Sequence, residues 1–163
     1  MKKVCVCLVL ALVGLGFSFQ SASALPPFNK EWVAKYNTPE KAVYAYPAEH
    51  YEHWREELPT MAFSWGIFGE NFTTRGMLEA SVFIGDCLKI GEAVLVVTQP
   101  RMPCYKLALR FDRDDMIKRF LESGRSGFYL SVLEEGEVRA ESEVELLNRD
   151  PESPFYKLIK RPS

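Results

Sequence analysis

A run of β-branched residues halted by two prolines constrains this chain's architecture more than any other feature. Val94-Leu95-Val96-Val97-Thr98 has the composition of a buried strand, and Pro100 and Pro103 follow, neither able to donate to a sheet ladder. The chain is expected to turn there, with Cys104 at the end of a rigid turn, exposed yet held by the strand before it. Arg101, Lys106 and Arg110 flank that cysteine in sequence, and nearby cations favour the thiolate, the nucleophilic and metal-binding form. On local chemistry alone two readings stay open: a thiol placed to ionise, or a small buried hydrophobe with a solvated basic rim.

Around this stretch the pattern is one of short strands and turn signals. Lys41 to Tyr46 reads as a strand, and Pro47 suits the first turn of a helix running to about Leu58, with Tyr51, Trp54 and Leu58 on one face. Ser81–Ile84, Cys87–Ile90 and Ala93–Thr98 read as a meander broken at Gly85-Asp86 and Gly91-Glu92. Asp112 reads as the N-cap of a helix to Ser123, apolar at Met116, Ile117, Phe120 and Leu121 and closed by Gly124. Phe128–Leu133, Glu137–Ala140 and Glu143–Leu147 are further strand candidates. The expected fold class is mainly β with helices, a closed or nearly closed β-barrel.

Two glycine-framed polar loops interrupt the strands. Gly69 to Gly76 holds Asn71 and Thr73, and its backbone N–H groups and hydroxyls suit an anion or a plain turn. Gly124-Arg125-Ser126-Gly127 places an arginine that either forks onto an oxyanion or faces solvent beyond a helix end. His50 and His53, the two histidines, are three residues apart, but two imidazoles without a third ligand read as rim residues rather than a metal site. Cys87 reads as an ordinary strand residue.

The length of 163 residues suits one domain, and 47% hydrophobic residues suffice for a packed core. A net charge of -2 argues against a general nucleic-acid binder, which needs a concentrated positive field. Lys2 and Lys3, the apolar run Val4 to Phe19 and Ala22-Ser23-Ala24 follow signal-peptide order, so cleavage after Ala24 and export to the periplasm or exterior are expected. The apolar run is shorter than the roughly 20 residues of a spanning helix, so an integral membrane protein is not expected. The expected organisation is a signal peptide over 1–24, an extended arm over 25–39, a barrel over 40–149 and a tail over 150–163.

Gln99-Pro100-Arg101-Met102-Pro103-Cys104-Tyr105-Lys106-Leu107, with Gly69-Glu70-Asn71-Phe72-Thr73-Thr74 upstream and Ser123-Gly124-Arg125-Ser126-Gly127-Phe128-Tyr129 downstream, resembles the MOSC domain family in order and spacing from about Glu40 to Arg149. The likeness is closest to its bacterial YiiM-like branch. It implies a MOSC-like β-barrel that binds molybdenum cofactor, with Cys104 as sulfur carrier or molybdenum ligand. By the same resemblance, Asn71, Thr73, Arg101, Lys106, Arg110 and Arg125 would hold the phosphorylated pterin or a related anionic small molecule. The family also carries an association with pyridoxal phosphate. Two alternatives accompany this reading: an exported binding or structural module without catalysis, and a component of a molybdenum-dependent reductase of N-hydroxylated compounds, served by a redox partner protein. The chain departs from the family at Tyr36-Asn37-Thr38, where relatives commonly carry His-Gly-Gly.

Overall fold

Strands form where β-branched and aromatic residues alternate, and the helices cover the face those strands leave apolar. The computed structural model describes residues 3–6 and 40–149. In chain order these hold β1 (Lys3–Val6), β2 (Val43–Pro47), α1 (His50–Glu57), β3 (Phe72–Arg75), a 3₁₀ turn (Glu79–Ser81), β4 (Cys87–Ile90), β5 (Ala93–Pro100), α2 (Tyr105–Phe111), α3 (Met116–Ser123), β6 (Phe128–Glu134) and β7 (Ser142–Asn148). The six strands from β2 onward form one curled sheet in the order β3-β2-β6-β5-β4-β7, and β1 pairs with both β3 and β7 to close the ring. The mainly β, barrel-like fold expected from the sequence is the fold observed. Pairing is antiparallel except between β2 and β3, which run parallel, Ala45 opposite Phe72, because α1 carries the chain back between them.

The two-residue period of the strands divides the core into two clusters. Ala45, Leu88, Ile90, Leu95, Val97, Phe128 and Leu130 pack together, joined by Met77 and Val82. Tyr44 and Tyr46, the neighbours of Ala45, point the other way and join Tyr51, Trp54, Phe68, Leu107, Phe111, Met116 and Phe120 from the helices and the loop before β3. This second cluster is largely aromatic: Phe68 stacks on Tyr46 at 4.3 Å, and Trp54 is parallel to Phe120 within 9°. The buried indole N–H donates to Tyr46 Oη at 2.7 Å, so the tryptophan's polar edge is satisfied inside an apolar cluster. The expected face of α1, Tyr51, Trp54 and Leu58, is the buried one.

Several local expectations are corrected. β5 extends two residues past the expected Thr98 and ends at Pro100, which stands opposite Phe128; a proline lacks only its N–H and still fits a strand end. The stretch after Pro103 is helical from Tyr105, so Cys104 directly precedes a helix, and Asp112 is not an N-cap but the left-handed residue (φ 50°) that ends α2. The helix expected from Asp112 to Ser123 is α3, which starts only at Met116, and the unexpected α2 precedes it. Ser81–Ile84 is not a strand; there the 3₁₀ turn gives way to a bend held by the Phe83 N–H donating to Asp86 Oδ2 at 3.0 Å. Glu137–Ala140 is a connection rather than a strand, and half of the polar loop over 69–76 is strand β3.

At the end of β7, Arg149 donates to Asp86 through Nη2 at 2.6 Å and Nε at 2.8 Å and lies over the Phe83 ring at 4.2 Å. The expected arm over 25–39, the tail over 150–163 and most of the expected leader lie outside the described residues. Among the described residues no helix is long and apolar enough to cross a membrane.

Candidate functional site

Tyr44 is where the expected site comes together. As a β2 residue it has two backbone groups to satisfy toward β3, and Asn71 takes both: Asn71 Oδ1 accepts from Tyr44 N–H at 2.8 Å, and Asn71 N–H donates to Tyr44 O at 2.8 Å. The Tyr44 hydroxyl donates to Ser126 O at 2.8 Å, which ties in the second glycine-framed loop. The Arg101 guanidinium lies over the Tyr44 ring, 4.5 Å from its centroid. One side chain thus joins the loop before β3, the loop before β6 and the turn after β5. Burial pushes the Tyr44 phenol well above its usual value, with Arg101 partly opposing, so it stays a neutral donor.

The two arginines nearest Cys104 grip the same loop. Arg101 Nη1 donates to Phe68 O, and Arg110 Nη1 donates to Gly66 O at 2.7 Å and to Ile67 O at 3.5 Å. Beyond these carbonyls stands Gly69, exposed and at φ +85°. A Cβ there would lie 3.5 Å from Arg110 Nη1 and 4.0 Å from Arg101 Nη2, so the missing side chain leaves an opening flanked by two guanidinium edges. Each guanidinium has five N–H donors, more than these carbonyls take up.

Glu70 secures the loop from beneath. Its Oε1 accepts from Tyr51 Oη, from Gly66 N–H at 2.9 Å and from Thr73 Oγ1 at 3.2 Å. A second buried carboxylate, Glu79, secures the other loop: Oε1 accepts from Gly127 N–H at 2.7 Å, and Oε2 lies 2.7 Å from His50 Nε2. Gly127 O in turn accepts from Arg101 N–H at 3.4 Å, so the anchoring reaches the turn that carries Cys104.

The structure sorts the residues expected at the site. Cys104 is exposed with a free thiol, in extended backbone (φ -136°, ψ 176°), and Met102, Tyr105, Lys106 and Leu109 are exposed near it in the chain. Arg101 and Arg110 converge at Gly69. Arg125 is half-buried and turned back on its own helix end, Nη1 donating to Ser123 O at 3.0 Å. Asn71 spends its carbonyl oxygen on β2, and Thr73 is fully buried with its hydroxyl on Glu70, so both build the loop from within. Cys87 is buried and free, so the two cysteines do not pair.

Sequence reading missed Tyr44, Glu70, Glu79 and the inward side of His50. Glu70 sits inside the quoted Gly69–Thr74 motif and was within reach; His50 was expected at the rim and is instead buried against Glu79. A cleft of about 430 Å³ between α1 and α3, lined by residues including His53, Glu57, Asp115 and Arg119, contains none of the expected site residues. Its charges are already paired, Arg119 with Asp115 at 2.6 Å and with Glu57 at 2.9 Å.

With this geometry in view, comparison with known proteins is decisive. The MOSC domain model matches residues 34–145, most of the chain. The chain belongs to the MOSC domain family. This MOSC domain is 48% identical over 111 residues to the uncharacterized protein YflK of Bacillus subtilis, covering 68% of this chain and 50% of YflK. It is 42% identical over 113 residues to protein YiiM of Escherichia coli, again covering 68% and 50%. A protein named reductase from Gibberella moniliformis is 39% identical over 113 residues, 68% of this chain but 20% of that one. Crystal structures of YiiM from Geobacillus stearothermophilus and from E. coli each superpose with a TM-score of 0.70 at 38% identity, covering 74% of this chain and 61% of theirs. The MOSC chain thus spans about half the length of YflK and YiiM.

Proposed function

We propose that this MOSC domain binds molybdenum cofactor, with Arg101 and Arg110 receiving its phosphate above Gly69 and Cys104 serving as sulfur carrier or molybdenum ligand. The observation that carries the reading is the opening at Gly69, where a Cβ would come within 3.5 Å of Arg110 and 4.0 Å of Arg101. A phosphate there would accept charge-assisted hydrogen bonds from two planar guanidinium groups, the strongest donors a protein offers an oxyanion. The residues present therefore fit the group: two fixed cations for the phosphate and an exposed soft sulfur for the metal. When bound, the cofactor supplies a redox-active metal that exchanges oxygen or sulfur ligands. The chain's own part is positioning. Glu70 and Glu79 hold the two loops, Tyr44 joins them as a neutral donor, and Arg101 is fixed by its ring contact and its carbonyl partner. Lys106 adds positive charge on the same helix as Arg110.

Metal and pterin analysis of protein purified from a host that makes the cofactor tests this. Bound molybdenum and pterin are expected in roughly equal amounts. Arg110→Ala should release most of the pterin at moderate salt, while Cys104→Ser should keep pterin and lose molybdenum or transferable sulfur. Wild-type protein free of both, from a host with ample cofactor, would favour a binding or structural module without catalysis. We also propose export, on the signal-like order of Lys2-Lys3, the apolar run and Ala22-Ser23-Ala24. N-terminal sequencing from the native host should then begin at Leu25, and an intact Met1 on cytoplasmic protein would overturn it.

A further inference from the structure

The ring of strands is completed from the far end of the chain. Without β1, the sheet would have two free edges, β3 and β7, and β1 fills the seam between them as a single strand. Lys3, Val4, Cys5 and Val6 stand opposite Arg75, Thr74, Thr73 and Phe72 on one side, and Lys3 and Val4 opposite Glu143 and Ser142 on the other. With β1 in place, Thr73 and Thr74 on the β3 edge are 0% and 1% exposed, so the strand seals this edge from water. Backbone N–H and C=O groups in such a place need protein partners. An edge left open also invites another extended segment. The family match covers 34–145 and leaves these four residues outside it. Yet Lys3 and Val4 also open the stretch that reads as a leader.

We infer that the seam between β3 and β7 is a strand-acceptor site whose occupant is Lys3–Val6 of the same chain, and that leader processing and barrel closure are alternative uses of these residues. A molecule that keeps them is a closed barrel. A molecule cut after Ala24 is an open sheet with β3 and β7 exposed as edges. The inference concerns the N-terminal segment alone and stands whether or not a cofactor binds at Cys104.

The experiment uses the full-length chain, its intact N-terminus verified by mass. Lys3→Cys combined with Glu143→Cys sets two thiols at facing positions of an antiparallel pair, within disulfide reach. Mild oxidation should join them, as mapped by mass spectrometry of a digest. Val4→Pro removes a ladder donor and should abolish that bridge. In hydrogen exchange, the same substitution should make the amides of Phe72–Arg75 and Ser142–Glu143 exchange ~100-fold faster while β5 and β6 keep their protection. If Val4→Pro unfolds the chain entirely, the bridge in the otherwise wild-type chain decides alone. Failure of the bridge to form in the intact chain, or unchanged exchange at β3 and β7 in folded Val4→Pro, would overturn the inference.

Discussion

Burial separates two thiols that look alike in the sequence. Cys87, buried on β4, has its thiol pushed up to about 11, first by burial and then by Glu134 and Asp86, whereas Cys104 is exposed. Iodoacetamide at neutral pH should therefore modify Cys104 in the native protein and Cys87 only after unfolding; equal rates in a peptide map would contradict the structure. The same shift sets a pH dependence. Above the unfolded thiol's value of 9.0 the unfolded chain releases a proton that the folded chain retains, so the contribution of Cys87 to stability is undiminished below about pH 9 and is lost as pH climbs through about 11. Burial raises Tyr44, Tyr46 and Tyr51 as well, which extends the loss upward from their ordinary value of 10.0. Urea midpoints should fall steadily above pH 9, and Cys87→Ala should flatten the first part of that fall. Cys104, Arg101 and Arg110 were legible in the sequence because one rigid turn and one short helix carry all three. Tyr44 and Glu79 were not, because their roles depend on partners 82 and 48 positions away.

Among the elements, the loop before β6 is tightly built. Gly127 stands at φ +60°, and a Cβ there would come within 2.5 Å of Ala45 O and 2.9 Å of the Tyr44 and Tyr46 rings. Gly127→Ala should destabilise the domain by about 3 kcal/mol, since neither backbone nor buried rings can give way. Glu79→Ala leaves the Gly127 N–H without its acceptor and should lower stability by about 2 kcal/mol, with Glu79→Gln recovering part of it. Thermal or denaturant unfolding measures both. The long β-branched run of β5 and the aromatic face of α1 were readable because each spans enough residues to show a period. Helix α2 was not: it has seven residues, of which only Leu107 and Phe111 are buried, too few to set a helical pattern apart. Strand β3 is four residues long, two of them threonine, and becomes recognisable only beside its parallel partner β2.

For the whole molecule, stability depends on how the ends of the sheet are fastened. The Asp86 side chain is 2% exposed, so Arg149→Ala would leave a buried carboxylate without its cation and should cost about 2 kcal/mol, a drop of roughly 5 °C in Tm by calorimetry. The other fastening joins Lys3 to Glu143, roughly 140 positions along the chain. Contacts of such separation close late, because the chain entropy of the intervening loop must be overcome before the contact rewards it. On the ribosome the delay is longer still: at roughly 5 to 20 residues per second, Lys3 waits on the order of 7 to 30 s before Glu143 has been made. Throughout that interval the N-terminal strand has no finished seam to enter, and any factor that recognises a nascent apolar segment meets it first. If these residues also serve as a leader, as inferred above, the choice falls within that interval, before the barrel exists to compete for them.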